Sequence, residues 1–71
     1  METITITTEF IRLQDLMKLA NMVSSGGEAK QLIQDGQVLV NGEPCLQRGK
    51  KLRPGDTVAF RNRIYTTAYA T

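Results

Sequence analysis

Polar and apolar positions change period twice along these 71 residues. Residues 2–7, ETITIT, alternate polar and apolar positions, with β-branched side chains from Thr3 to Thr7, which predicts a short edge strand. From Leu13 to Met22 the period lengthens. Leu13, Leu16, Met17, Leu19, Ala20 and Val23 follow helical spacing, and a first helix of about ten residues is expected. Ser25, followed three residues later by Glu28, predicts a capping box: the hydroxyl accepts the Glu28 amide, and the carboxylate reaches back to the amide of Ser25. Ala29, Leu32 and Ile33 supply the apolar face of a second helix, although Gly26 and Gly27 are poor formers of its first turn. Gly36 stands where a C-terminal cap belongs.

After Gly36 the period returns to two. Val38 and Val40 share a face, Asn41-Gly42 is a strong hairpin signal, and Glu43 to Leu46 carries the chain back. Pro54-Gly55-Asp56 marks a second turn, leading into Thr57–Arg61 with Val58 and Phe60 on one face. Asn62 precedes a last strand, Ile64–Tyr69, with Ile64 expected inward. The order β-αα-ββββ predicts an α+β domain, two short helices packed on a small antiparallel sheet. Residues 1–71 are expected to form a single domain, since a chain this short supports only one thin core.

Composition narrows the class. Hydrophobic residues make up 41% and charged residues 23%, ordinary for a globular domain. No apolar run approaches the roughly 20 residues of a membrane span, and METITITTEF lacks the charge and apolar core of a signal peptide. A single cysteine, Cys45, cannot form an internal disulfide and reads as a small strand residue. Together these features predict a cytoplasmic protein without a membrane partner.

Charge changes the picture more. The net charge is only +2, but Arg48, Lys50, Lys51, Arg53, Arg61 and Arg63 face a single anion, Asp56, within one segment. That segment carries a net +5 and the remainder −3. Four of the cations fall within six residues, between the two turns, where they suit phosphate: arginine as a bidentate donor, lysine as a point charge. A solvated face that keeps a small protein soluble would need no such separation of charge. An anionic partner would.

Catalytic chemistry is poorly supplied. With no histidine, the commonest general base and metal ligand is missing, and one cysteine cannot build a zinc site. Asp15, Glu28, Asp35 and Asp56 each have a helix or turn role, so no enzyme activity, cofactor, metal or small-molecule substrate is expected. Gly26-Gly27 at a helix start reads either as an approach for a backbone phosphate or as plain packing or flexibility. Phe10 and Phe60 read as core, and Tyr65 and Tyr69 share a strand face away from the basic loop, so no stacking platform is evident.

The ordered set Leu13-x-x-Leu16-Met17, Ala29-Lys30-x-Leu32-Ile33, Gly36-x-Val38-x-Val40-Asn41-Gly42 and Pro54-Gly55-Asp56-x-Val58 resembles the S-four-type RNA-binding domain, the alpha-L motif, over residues 12–60. The initial strand, Ser25-Gly26-Gly27-x-Ala29-Lys30 and Arg48-Gly49-x-Lys51-Leu52 are similar to its small stand-alone bacterial members of the YaaA and YbcJ type, described as ribosome-associated. The resemblance implies an RNA-binding fold in which the helix pair and the adjoining hairpin meet structured RNA, ribosomal RNA above all. It also implies that the basic loop lies beside the second helix. On the helix side the residues expected to line the RNA are Arg12, Lys18, Ser25, Gly26 and Lys30; on the hairpin side, Asn41, Arg48, Lys50, Lys51 and Arg53. Many family members carry an arginine where this chain has Gly26, so the basic loop should matter more here. Charge alone does not separate RNA from DNA; the resemblance prefers RNA. A monomer is expected.

Two other readings fit less well. A protein-interaction adaptor could present the same basic patch to an acidic protein. A small sulfur carrier would need a terminal Gly-Gly, whereas the sequence ends Ala68-Tyr69-Ala70-Thr71.

Overall fold

A computed structural model describes residues 1–70; Thr71, the last residue of the ending noted above, lies outside them. In chain order the elements are β1 (Glu2–Ile6), β2 (Ile11–Arg12), α1 (Leu13–Leu19), α2 (Gly26–Gln34), β3 (Val38–Val40), β4 (Glu43–Pro44), β5 (Lys51–Leu52), β6 (Thr57–Phe60) and β7 (Arg63–Tyr69). Five strands form one sheet in the order β1-β7-β6-β3-β4, and β2 pairs with β5 in a separate two-stranded ribbon. The α+β class is as expected, with a refinement. From β7 to β4 the sheet is antiparallel, but β1 joins β7 in parallel and makes the whole sheet mixed. Among the described residues no helix is long and apolar enough to cross a membrane.

Both helices end on backbone devices. At the end of α1, Asn21 takes φ of 59°, while the amides of Asn21 and Met22 donate to the carbonyls of Lys18 and Met17. This is a Schellman-type cap with asparagine in the left-handed position. It stops α1 at Leu19, three residues short of the expected end, although Met22 and Val23 continue to feed the core. Helix α2 ends the same way on Gly36, at φ of 75°, with the Gln37 amide reaching the carbonyl of Leu32.

At the start of α2, Ser25 is the N-cap and its Oγ accepts the amide of Glu28 at 3.2 Å. The return contact differs from the expected box. Glu28 Oε1 accepts the amide of Ser24 at 2.8 Å, one residue further back than Ser25. The carboxylate thereby satisfies a donor outside the helix and holds the α1–α2 connection.

Leu13, Leu16, Met17, Ala29 and Ile33 from the helices meet Val38, Val40, Leu52, Val58 and Phe60 from the strands in one buried cluster. Each of these side chains larger than alanine contributes roughly 1.5–3 kcal/mol relative to its exposed state. The last strand reverses an expectation: Ile64 is 49% exposed, and Tyr65 is the buried residue. The two-residue loop Arg61-Asn62 pairs Phe60 with Arg63, which sets Ala59 against Ile64 on the outer face and Val58 against Tyr65 on the inner one. A shift of one residue exchanges the faces of a strand.

Candidate nucleic-acid interface

Helix α1 has no side-chain cap at its N-terminus, although Arg12 occupies the N-cap position. Its first amides are satisfied by the basic loop instead. Leu13 N–H donates to the Lys50 carbonyl at 2.9 Å, and Gln14 N–H to that of Arg48 at 3.1 Å. The loop is thus fixed to the start of the first helix. The β2–β5 ribbon continues this attachment by pairing Ile11 with Leu52 and Arg12 with Lys51. Buried Leu52 is the apolar peg between the exposed Lys51 and Arg53.

Arg12, Arg48, Lys50 and Lys51 are all exposed and gather at one helix end. That end already bears the positive pole of the helix dipole. Like charges directly opposite in a strand pair destabilise it, and Arg12 faces Lys51 in that way. No carboxylate offsets this cost: among the described residues the one ion pair is Lys18–Asp15, at 3.4 Å on the helix surface. Lys51 packs its ammonium 4.9 Å from the centroid of the Phe10 ring, so Phe10, expected in the core, is half-buried beneath a cation.

The hairpin side is held by a different device. Asn41 and Gly42 both have positive φ, 52° and 87°, as a tight two-residue turn with right-handed twist requires. The Asn41 side chain then ties this turn to the next. Its Oδ1 accepts the Thr57 amide at 2.9 Å, and its Nδ2 donates to Asp56 Oδ1 at 3.2 Å. Asp56 Oδ2 in turn accepts the Arg53 amide at 2.8 Å. With Gly55 at φ of 99°, Arg53–Asp56 forms a glycine-dependent turn, and Arg53 leaves it on a fixed backbone. Asn41, read from the sequence as an RNA contact, is therefore first a structural clamp.

The remaining residues form smaller groups. Ser25, Gly26 and Lys30 lie on the first turns of α2, the last two one helical turn apart. A Cβ on Gly26 would meet nothing within 4 Å, so close packing does not explain that glycine. Lys18 sits in the last turn of α1, at the opposite end from the basic loop, and is engaged with Asp15. Beside Lys50, a surface cleft of about 520 Å³ is lined by Val40, Pro44, Leu46 and Gln47, with Leu46 64% exposed. Arg61 and Arg63, two of the six clustered cations, are not among the contacts expected from the resemblance. Both are exposed on the β6–β7 hairpin, near the far end of α1.

A helix pair on a small mixed sheet, with a cationic loop closing the first helix, defines a class of compact module whose surface chemistry suits anions. The chain belongs to the S4 domain family, whose model matches residues 4–67. It is 49% identical over 55 residues to the probable ribosome maturation protein RlbA of Bacillus subtilis, covering 78% of each chain. It is 40% identical over 50 residues to the putative RNA-binding protein YbcJ of Escherichia coli, covering 70% of this chain and 71% of the relative. The fold agrees with the solution structure of E. coli YbcJ, described as revealing an αL motif involved in RNA binding. The TM-score is 0.73 at 32% identity, over 96% of this chain and 87% of the other.

Proposed function

We propose that this protein is a non-catalytic RNA-binding module that docks on folded RNA, with ribosomal RNA or a ribosomal particle as its target, in the cytoplasm and as a monomer. One observation carries the reading. Arg12, Arg48, Lys50 and Lys51 are collected on a helix N-terminus, with Arg12 and Lys51 directly opposed and no carboxylate paired to any of them among the described residues. The like charges cost the fold free energy, and a phosphate backbone would offset that cost. Arg53 and Asn41 extend the surface on the hairpin side, and Ser25, Gly26, Lys30 and Lys18 on the helix side. Contacts of this kind attract and position RNA without reading base sequence. With few exposed aromatic residues, recognition of RNA shape fits the surface better than stacking of splayed bases. The descriptions of RlbA as a probable ribosome maturation protein and of YbcJ as a putative RNA-binding protein support the choice of target.

Crosslinking in cells, followed by sequencing of the bound RNA, tests the proposal. Enrichment of ribosomal RNA, lost in the Lys50→Glu/Lys51→Glu variant, is the expected result. Association with a protein that survives exhaustive nuclease treatment, without RNA enrichment, would overturn it in favour of an adaptor.

A further inference from the structure

The six cations of the basic segment do not form one patch. Four stand on the loop and turn spanning residues 48–53, whose carbonyls cap the N-terminus of α1. The other two, Arg61 and Arg63, border a groove of about 380 Å³ that Asn21 brings to the C-terminal end of the same helix. A seven-residue helix is about 10 Å long. One phosphate cannot span that distance.

This second groove is built from arranged parts. Asn21, Phe60, Arg61, Asn62, Arg63 and Tyr65 line it. The Arg61 guanidinium lies over the Phe60 ring, 4.8 Å from its centroid, which fixes the plane and leaves the edge donors free. Arg63 Nη1 donates to the Tyr65 hydroxyl at 3.4 Å, and Tyr65 is itself buried. Among the described residues no carboxylate lies within ion-pair distance of either arginine, although Glu2, opposite Tyr65 on β1, acts on Arg63 from beyond that range. Asn21 and Asn62 add amide groups at the rim. Arg61 also holds φ of 56°, a left-handed conformation that glycine or asparagine adopts more readily. The turn would form more easily with another residue, so its backbone preference does not account for arginine there.

We propose that this groove is a second RNA phosphate site, taking a nucleotide about one helix length from the one held at the basic loop, so that the RNA runs along α1 and touches both ends. The inference rests on the RNA-binding reading but concerns residues that reading does not use. Two rigid cationic sites at a set spacing would select folded RNA with a matching separation of phosphates, where a single patch would accept any strand.

The test uses Arg61→Asn/Arg63→Gln. Asparagine suits the left-handed position, so the turn is retained and folding can be checked by circular dichroism. Against a folded ribosomal RNA fragment, this variant should bind about tenfold more weakly at 150 mM salt, with a log K against log salt slope less negative by about 1.5. Hydroxyl-radical footprinting of the RNA should lose protection at one end only, the other end being lost in Lys50→Glu/Lys51→Glu. An unchanged slope and footprint for Arg61→Asn/Arg63→Gln, while Lys50→Glu/Lys51→Glu is impaired, would overturn the second site and leave the RNA-binding reading standing. Titration with 5′-AMP supplies a readout independent of that reading. Amide resonances of Asn21 and residues 61–63 should shift at millimolar concentration in the wild type and not in the variant. Absence of those shifts in the wild type would contradict the site even if the protein binds RNA elsewhere.

Discussion

Replacing Asn41 by alanine should remove much of the stability of this small domain, although Asn41 is exposed. Its side chain accepts the Thr57 amide at 2.9 Å and donates to Asp56 at 3.2 Å, joining two turns fifteen residues apart. A hydrogen bond of this kind contributes about 1 kcal/mol net, and solvent exposure lowers the pair to about 1–2 kcal/mol. Alanine would also have to hold φ near 52°, at a further cost of about 1 kcal/mol. The sum for Asn41→Ala is about 2–3 kcal/mol. A domain of this length has a total stability of roughly 4–10 kcal/mol, so the loss is a large fraction. At about 4–8 °C per kcal/mol, Tm should fall by some 10–20 °C. Asn41→Gly separates the two contributions, because glycine accepts the backbone angle but cannot make the bonds; it should lose about 1 kcal/mol less than alanine. Urea unfolding followed by far-UV circular dichroism measures both. A loss for alanine below 0.5 kcal/mol would refute the clamp on the scale of ~1 kcal/mol per bond. Equal losses for alanine and glycine would refute the backbone part.

Other outcomes follow from single sites. The Thr67 hydroxyl is buried with no partner among the described residues, so Thr67→Val should raise stability by about 1 kcal/mol in the same unfolding assay. A fall would mean that a partner is present. Ser25→Ala should cost about 1 kcal/mol by removing the bond to the Glu28 amide; an unchanged urea midpoint would show that the cap is redundant. Gly26→Arg meets open space, so it should fold at least as well as the wild type and bind folded RNA several-fold more tightly in an anisotropy titration, because it adds a cation on the turn that bears Ser25. Lower affinity would show that the glycine itself is needed for close approach of the ligand.

Much of this architecture was legible in the residues, because its strongest signals are local. The Asn41-Gly42 hairpin, the glycine turn at Pro54-Gly55-Asp56, the Ser25 cap and the Gly36 stop each depend on a backbone angle or donor within a few positions. The early end of α1 was also encoded, in Asn21, but the apolar spacing of Met22 and Val23 masked it by continuing past the helix. Ile64 failed for a different reason. A strand of alternating period fits either face, and only the two-residue Arg61-Asn62 loop decides which residue opposes Val58. The parallel pairing of β1 with β7 joins the two ends of the described chain, and nothing local specifies such a contact.

The candidate site shows the same division. The density of cations between residues 48 and 53 was readable as charge, but charge along a chain does not say what holds it. The attachment of that loop to α1 comes from backbone carbonyls, which carry no side-chain signature. Composition likewise lumped Arg61 and Arg63 with the loop. Only the packing of the β6–β7 hairpin beside Asn21 separates them into a group of their own.

The central claim, that an unneutralised cationic surface on this frame holds RNA phosphates, is tested most directly by the salt dependence of binding to a folded ribosomal RNA fragment. Neutralising about six phosphates predicts a log K against log salt slope of roughly −4 to −5. Lys50→Glu/Lys51→Glu should flatten that slope by about 2 while leaving the domain folded, with only a small shift of the urea midpoint as the Arg12–Lys51 opposition and the Lys51–Phe10 contact are removed. A wild-type slope near zero, or no binding to folded RNA even at low salt, would contradict the account.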